Sequence, residues 1–215
     1  MGMPHQIIFS GPMIQAILDG RKTETRRTLK PQPPEHTHHV TLDWLHTGSK
    51  SYVQHYGLAD DNTRYLSPYG GPGDLLRVRE TWAVASQYDH LPPSEIPRCE
   101  VGYAASDDIT GLRKRSPIHM PSWMSRITLR VTAVRVERLQ DLGELDAVKE
   151  GMEFGYPTGE SMLRRFADCR TPQLSDPASA VGAYRKLWDS LNARRGFPWE
   201  SNPWLWVVQF KRVAR

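Results

Sequence analysis

Two cysteines in 215 residues, Cys99 and Cys169, stand far apart and without the spacing of metal ligands. That scarcity excludes a disulfide framework or a thiolate zinc site as the organising device, and a reducing cytoplasm is the expected home. No apolar run approaches the roughly 18 residues that a membrane-spanning helix needs. Met1-Gly2-Met3-Pro4-His5 has neither the charged nor the apolar region of a secretory signal. Internal repeats are absent, and so is a glycine-rich phosphate loop. Gly70-Gly71-Pro72-Gly73 lacks the lysine and following helix of such a loop and reads as a turn. Hydrophobic residues make up 39% of the chain, enough for one domain with a proper core. A net charge of +4 permits nucleic acid as a partner without requiring it.

What the chain does have is a dense basic segment. Arg21, Lys22, Arg26, Arg27 and Lys30 crowd into residues 20–30 against Glu24 alone. This stretch therefore carries a local excess equal to the net charge of the whole chain. It follows a short helical pattern (Met13, Ile14, Ile17, Leu18) that Ser10-Gly11-Pro12 opens and Gly20 is placed to end as a left-handed cap. Fixed guanidiniums and the titratable amine of Lys22 beside the hydroxyls of Thr23 and Thr25 suit an anionic or hydrogen-bonding ligand and support acyl chemistry. The alternative is a solvated basic turn.

The remaining elements are read from periodicity. Residues 6–9 form a short apolar strand, and residues 75–82 a strand with Leu76, Val78 and Glu80 on one face. Ile127, Leu129, Val131 and Ala133 alternate with polar residues in a long strand that changes phase at Ala133-Val134. Residues 141–151 form a short helix with Gly151 as its cap, residues 180–195 an amphipathic helix, and residues 204–210 a Trp-rich strand. Three breaker-dense stretches, about 31–72, 86–122 and 152–178, read as excursions without cores of their own. The expected class is α+β: one domain, a small, mostly antiparallel β-barrel with helices packed on it.

The ordered set Gly20-Arg21-Lys22-Thr23-x-Thr25-x-Arg27, Pro72-Gly73-Asp74-Leu75-Leu76-Arg77-Val78-Arg79-Glu80-Thr81-Trp82, Lys149-Glu150-Gly151-Met152 and a terminal Trp-rich strand resembles the ASCH domain family of the PUA-like superfamily. The resemblance is more particularly to the larger forms found in bacteria and their phages. The resemblance covers roughly residues 6–30, 72–85, 123–152 and 180–213. It implies a cleft on the barrel for a nucleoside or single-stranded RNA. In small bacterial members it further implies an amidohydrolase that removes the acetyl group of N4-acetylcytidine with a lysine, a threonine and a glutamate. Those residues match Lys22, Thr25 and Glu150, with no cofactor and no metal.

Amide hydrolysis needs a nucleophile, a proton acceptor and a group that protonates the departing nitrogen. In that scheme Lys22 is the base, Thr25 the nucleophile and Glu150 the acid/base. In a continuous strand Lys22 and Thr25 point to opposite faces, so the scheme requires a turn or bulge between them. Arg21, Arg26, Arg77 and Arg79 are candidates for a phosphate or base edge, or else surface charges. Glu80 is either a second cleft carboxylate or the partner of a nearby arginine. Trp82 and Trp123 are candidate stacking surfaces, whereas Trp188, Trp204 and Trp206 lie on periodic apolar faces and read as core. His36, His38, His39 and His46 sit in the first excursion without a cysteine or carboxylate partner and read as loop residues. Arg113-Lys114-Arg115 reads as a solvated run. A binding module without chemistry, or a single-strand ribonuclease, remains an alternative to the amidohydrolase.

Overall fold

The computed structural model describes residues 4–34, 37, 39–43, 52–56, 64–152 and 179–213. Its main sheet has five strands in the order β1-β6-β9-β10-β2. Strand β1 is His5–Ile8, β2 Glu24–Thr28, β6 Leu75–Arg79, β9 Thr128–Arg138 and β10 Trp204–Arg212. Only the β1–β6 pair is parallel; the other three pairings are antiparallel. Three further strands, β3 (His39–Asp43), β4 (Tyr52–Tyr56) and β5 (Arg64–Leu66), make a separate antiparallel sheet, so the first excursion has regular structure of its own. A two-residue pair, β7 (Trp82–Ala83) and β8 (Gly102–Tyr103), completes the strands among the described residues. The fold is thus mixed α+β. Its sheet, as paired, is open, with β1 and β2 at its edges.

The phase change read in the long strand is present one residue away. Gln209 pairs with Ala133 and Phe210 with Val131, so Thr132 is the extra residue of a bulge on β9. That bulge re-phases β9, so that Val134 faces the same core as Leu129 and Val131. Trp204, Trp206, Val208 and Phe210 pack into a core with Ile14 and Ile17 of helix α1 (Gly11–Leu18) and with Leu76, Val78, Leu129 and Val131. Leu205 points into a second cluster, formed with Ala147 of helix α2 (Glu144–Lys149) and Val181, Tyr184 and Trp188 of helix α3 (Ala180–Asn192). No helix among the described residues is long and apolar enough to cross a membrane.

The second excursion differs from expectation. Ile96 and Met120 from it close a third apolar cluster on Trp82, Val84 and Met124. Its apolar residues follow no helical or strand period, which is why periodicity did not reveal a core there. Arg115, read as solvated, is instead buried. Its guanidinium donates to the carbonyls of Tyr88 and Leu91 and lies 5.4 Å over the Trp82 ring. His36, His38 and His46 lie outside the described residues, as does all of the third excursion except Met152.

Candidate active site

Strand β2 is unusual in composition. Glu24, Thr25 and Arg26 are all buried, although none is apolar. A buried charge is tolerated only when it is paired and hydrogen-bonded, and here the pairing is dense. Arg26 Nη1 donates to Glu24 Oε1 at 2.7 Å and to Glu150 Oε1 at 3.4 Å; its Nη2 reaches Glu137 at 3.3 Å and lies 3.7 Å from Asp146. Arg135 Nη1 and Gln209 Nε2 each donate to Glu24 Oε2 at 2.8 Å. Burial alone would raise the Glu24 pKa; the hydrogen bonds from Arg135 and Gln209 and the Arg26 charge outweigh it and hold the carboxyl below its ordinary 4.5. A carboxyl lowered on folding contributes stability above its unfolded pKa and loses it as pH falls through the folded one. The urea midpoint is therefore expected to stay level down to about pH 5 and to fall progressively below about pH 4.5.

Lys22 stands just before β2, and the strand is not continuous through it. Its backbone N–H donates to the Ala16 carbonyl at 2.9 Å, and Thr23 N–H donates to the Lys149 carbonyl at 2.8 Å. This local excursion supplies the break that the lysine–threonine spacing requires. The ammonium is wholly buried and has three acceptors: the Glu24 carbonyl and the Glu150 carbonyl, each at 2.8 Å, and Glu150 Oε2 at 2.5 Å. Burial draws its pKa below 10.5, against the pull of the Glu150 carboxylate. Glu150 caps α2, and Gly151 after it has φ +92°. A Cβ on Gly151 would come within 2.9 Å of Ala16 Cβ and 3.2 Å of Lys22 Cβ. Glycine is needed there both for the left-handed turn and for the close approach that seats Glu150 on Lys22.

Glu150 and Thr25 both line one cleft of about 760 Å³. Its floor is β2 from Thr25 to Thr28. One wall is the face of α3 that carries Tyr184, Leu187, Trp188 and Leu191. The other wall comes from the excursions, through Leu66, Pro68, Tyr69 and residues 116–118, so two of the insertions help to build the cleft. Phe9 and Ser10, at the end of β1, close the inner side. Arg27 Nη2 reaches across to the Ile8 carbonyl at 2.6 Å and stacks 5.2 Å over Phe9, tying the two edge strands together beside the opening. Of the five large hydrophobic residues exposed among the described residues, four (Ile8, Leu66, Ile118 and Leu191) line this cleft. The Thr25 hydroxyl makes no hydrogen bond among the described residues. Tyr184 Oη lies 3.4 Å from Glu150 Oε1, and burial followed by the Glu150 charge keeps its phenol well above the usual tyrosine pKa.

The other residues singled out from the sequence lie elsewhere. Arg21 pairs with Asp19 at 2.9 Å outside the cleft lining. Arg26 lines the cleft, but its guanidinium is engaged by carboxylates and is not offered to a ligand. Arg77 sits mid-strand on β6, away from the cleft. Arg79 does not line it either, but donates to the carbonyl of Ile118, a wall residue, at 2.5 Å. Glu80 is buried in a two-point pair with Arg126, both contacts at 2.9 Å, so it takes the arginine-partner role. Trp82 is fully buried with its indole N–H on the Ser116 carbonyl, and Trp123 packs against the same cluster; neither offers a face to the cleft. Lys30, part of the basic segment read from the sequence, lines the cleft, as do Tyr184, Arg195 and Phe9, which the sequence did not single out. Tyr184 carried a signal, its place on the apolar face of α3, but that signal reads equally as core.

No protein-family model, no curated protein and no solved structure matches this chain.

Proposed function

We infer that the chain is an ASCH-type amidohydrolase that removes the acetyl group from N4-acetylcytidine or a related acylated pyrimidine, its open sheet corresponding to the small barrel of that family. The observation that carries this reading is the 2.5 Å contact between Lys22 Nζ and Glu150 Oε2 behind a cleft that Glu150 and Thr25 line. One proton shift across that contact turns an ammonium–carboxylate pair into a neutral amine and a carboxylic acid. Those are the base and the acid that the reaction needs, and burial favours the neutral amine of Lys22. The Lys22–Glu150 pair takes the Thr25 hydroxyl proton as Oγ attacks the acetyl carbon. When the C–N bond breaks, the cytosine N4 leaves with a proton returned through Glu150. Water then attacks the threonine ester, and acetate is released. Apolar walls around a small polar floor suit a flat base that is aimed by a few groups.

One feature favours the non-catalytic alternative: all three Lys22 protons already have acceptors, as in a purely structural ion pair. Incubation with N4-acetylcytidine and chromatography of the products separates the readings. The amidohydrolase yields cytidine and acetate, and Thr25→Ala yields neither while keeping its fold, since Thr25 anchors nothing. Unchanged substrate with wild-type protein overturns the enzyme reading.

A further inference from the structure

The cleft has a second pole. Glu150 is the sole acid among the described residues of its lining, against Arg26, Arg27, Lys30 and Arg195. Arg26 is neutralised by the carboxylates around it and Arg27 is fixed on Ile8, but Lys30 and Arg195 have no acidic partner among the described residues. Both are exposed, and both belong to the far end of the cleft. The Lys30 ammonium lies 5.3 Å over the ring of Phe197, two residues beyond Arg195. From Tyr184, which touches Glu150, to Arg195 the helix and its last turn rise roughly 17 Å. That span is longer than a nucleoside measured from its exocyclic nitrogen to its 5′ oxygen, although the arginine side chain can reach back along it. Cations held in a groove without counter-charges, beside apolar walls, recognise a phosphate on a ligand whose flat part lies deeper.

We propose that Lys30 and Arg195 form a phosphate subsite, so that the ligand is a cytidine nucleotide, single or within a chain, and not the free nucleoside. This deepens the amidohydrolase reading and rests on it for the position of the base. Calorimetric titrations with cytidine, cytidine 5′-monophosphate, tetracytidylate and ribose 5-phosphate, at two salt concentrations, test it on wild type and on Lys30→Ala/Arg195→Ala. Both residues are exposed, so the double variant is expected to fold.

A phosphorylated ligand should bind wild type at least about ten-fold tighter than cytidine, with log affinity falling by about 0.7 per contacted phosphate per log unit of salt for a single strand. The double variant should lose that advantage and keep its cytidine affinity. Tighter binding of tetracytidylate than of the monophosphate identifies a chain; equal binding identifies a mononucleotide. Equal affinity for cytidine and its phosphates in wild type, an advantage that survives in the double variant, or no binding at all overturns the proposal. If ribose 5-phosphate binds through Lys30 and Arg195 while no base-bearing ligand gains affinity from its base, the phosphate subsite stands and the cytidine reading falls.

Discussion

Glu150→Gln is expected to slow N4-acetylcytidine hydrolysis by about 100-fold or more, the range in which a positioned acid–base group contributes. Its KM should change little. The amide carbonyl still accepts from Lys22, so the buried lysine keeps a partner and the fold survives. What is lost is the group that exchanges a proton with Lys22 at 2.5 Å. The pH profile separates this from a merely structural role. Because burial lowers the Lys22 pKa below 10.5, activity in wild type should rise with pH along a limb lying below that value. Removing the Glu150 charge removes what favours the ammonium, so the residual activity of Glu150→Gln should rise at lower pH than that of wild type. A variant as fast as wild type, or one whose limb moves upward, contradicts the assignment.

Arg26→Ala is expected to be the most destabilising single change in the site. Arg26 is buried and bridges Glu24, Glu137 and Glu150, with Asp146 close by. Its removal leaves buried carboxylates short of one cation. Breaking a buried pair in this way costs about 3–5 kcal/mol, which for a chain of this size lowers Tm on the order of 10 °C. Arg26→Lys keeps the charge but not the planar fork, and should fall between the two. Thermal melts followed by circular dichroism decide it. A ligand-binding role alone predicts weakened binding with an unchanged Tm; a drop in Tm of the size expected makes Arg26 the structural cation of the buried carboxylate network.

Periodicity revealed β1, α1, β6, β9, β10 and α3, because each buries a face against the core and writes that face at a period of two or 3.6. Strand β2 left no such mark. Glu24-Thr25-Arg26-Arg27-Thr28 has no apolar alternation, and its burial rests on ion pairs to residues more than a hundred positions away. The same distance hides the Lys22–Glu150 contact, 128 residues apart in sequence. Only the resemblance placed those two together, not spacing. Trp82 and Trp123 show the opposite limit. An aromatic at a strand end reads equally as a stacking face or a core plug, and the residues that decide it, Ile96 and Met120, come from a stretch with no periodicity.

The central claim is that Thr25 attacks the acyl carbon in the cleft that Glu150 lines. Acid quenching of the wild-type protein during its first turnover of N4-acetylcytidine, followed by peptide mass mapping, tests it most directly. The account predicts an acetyl group on Thr25 in an amount matching the first cytidine released. Cytidine released with Thr25 unmodified throughout, or an acetyl group carried by another residue in its place, would contradict it.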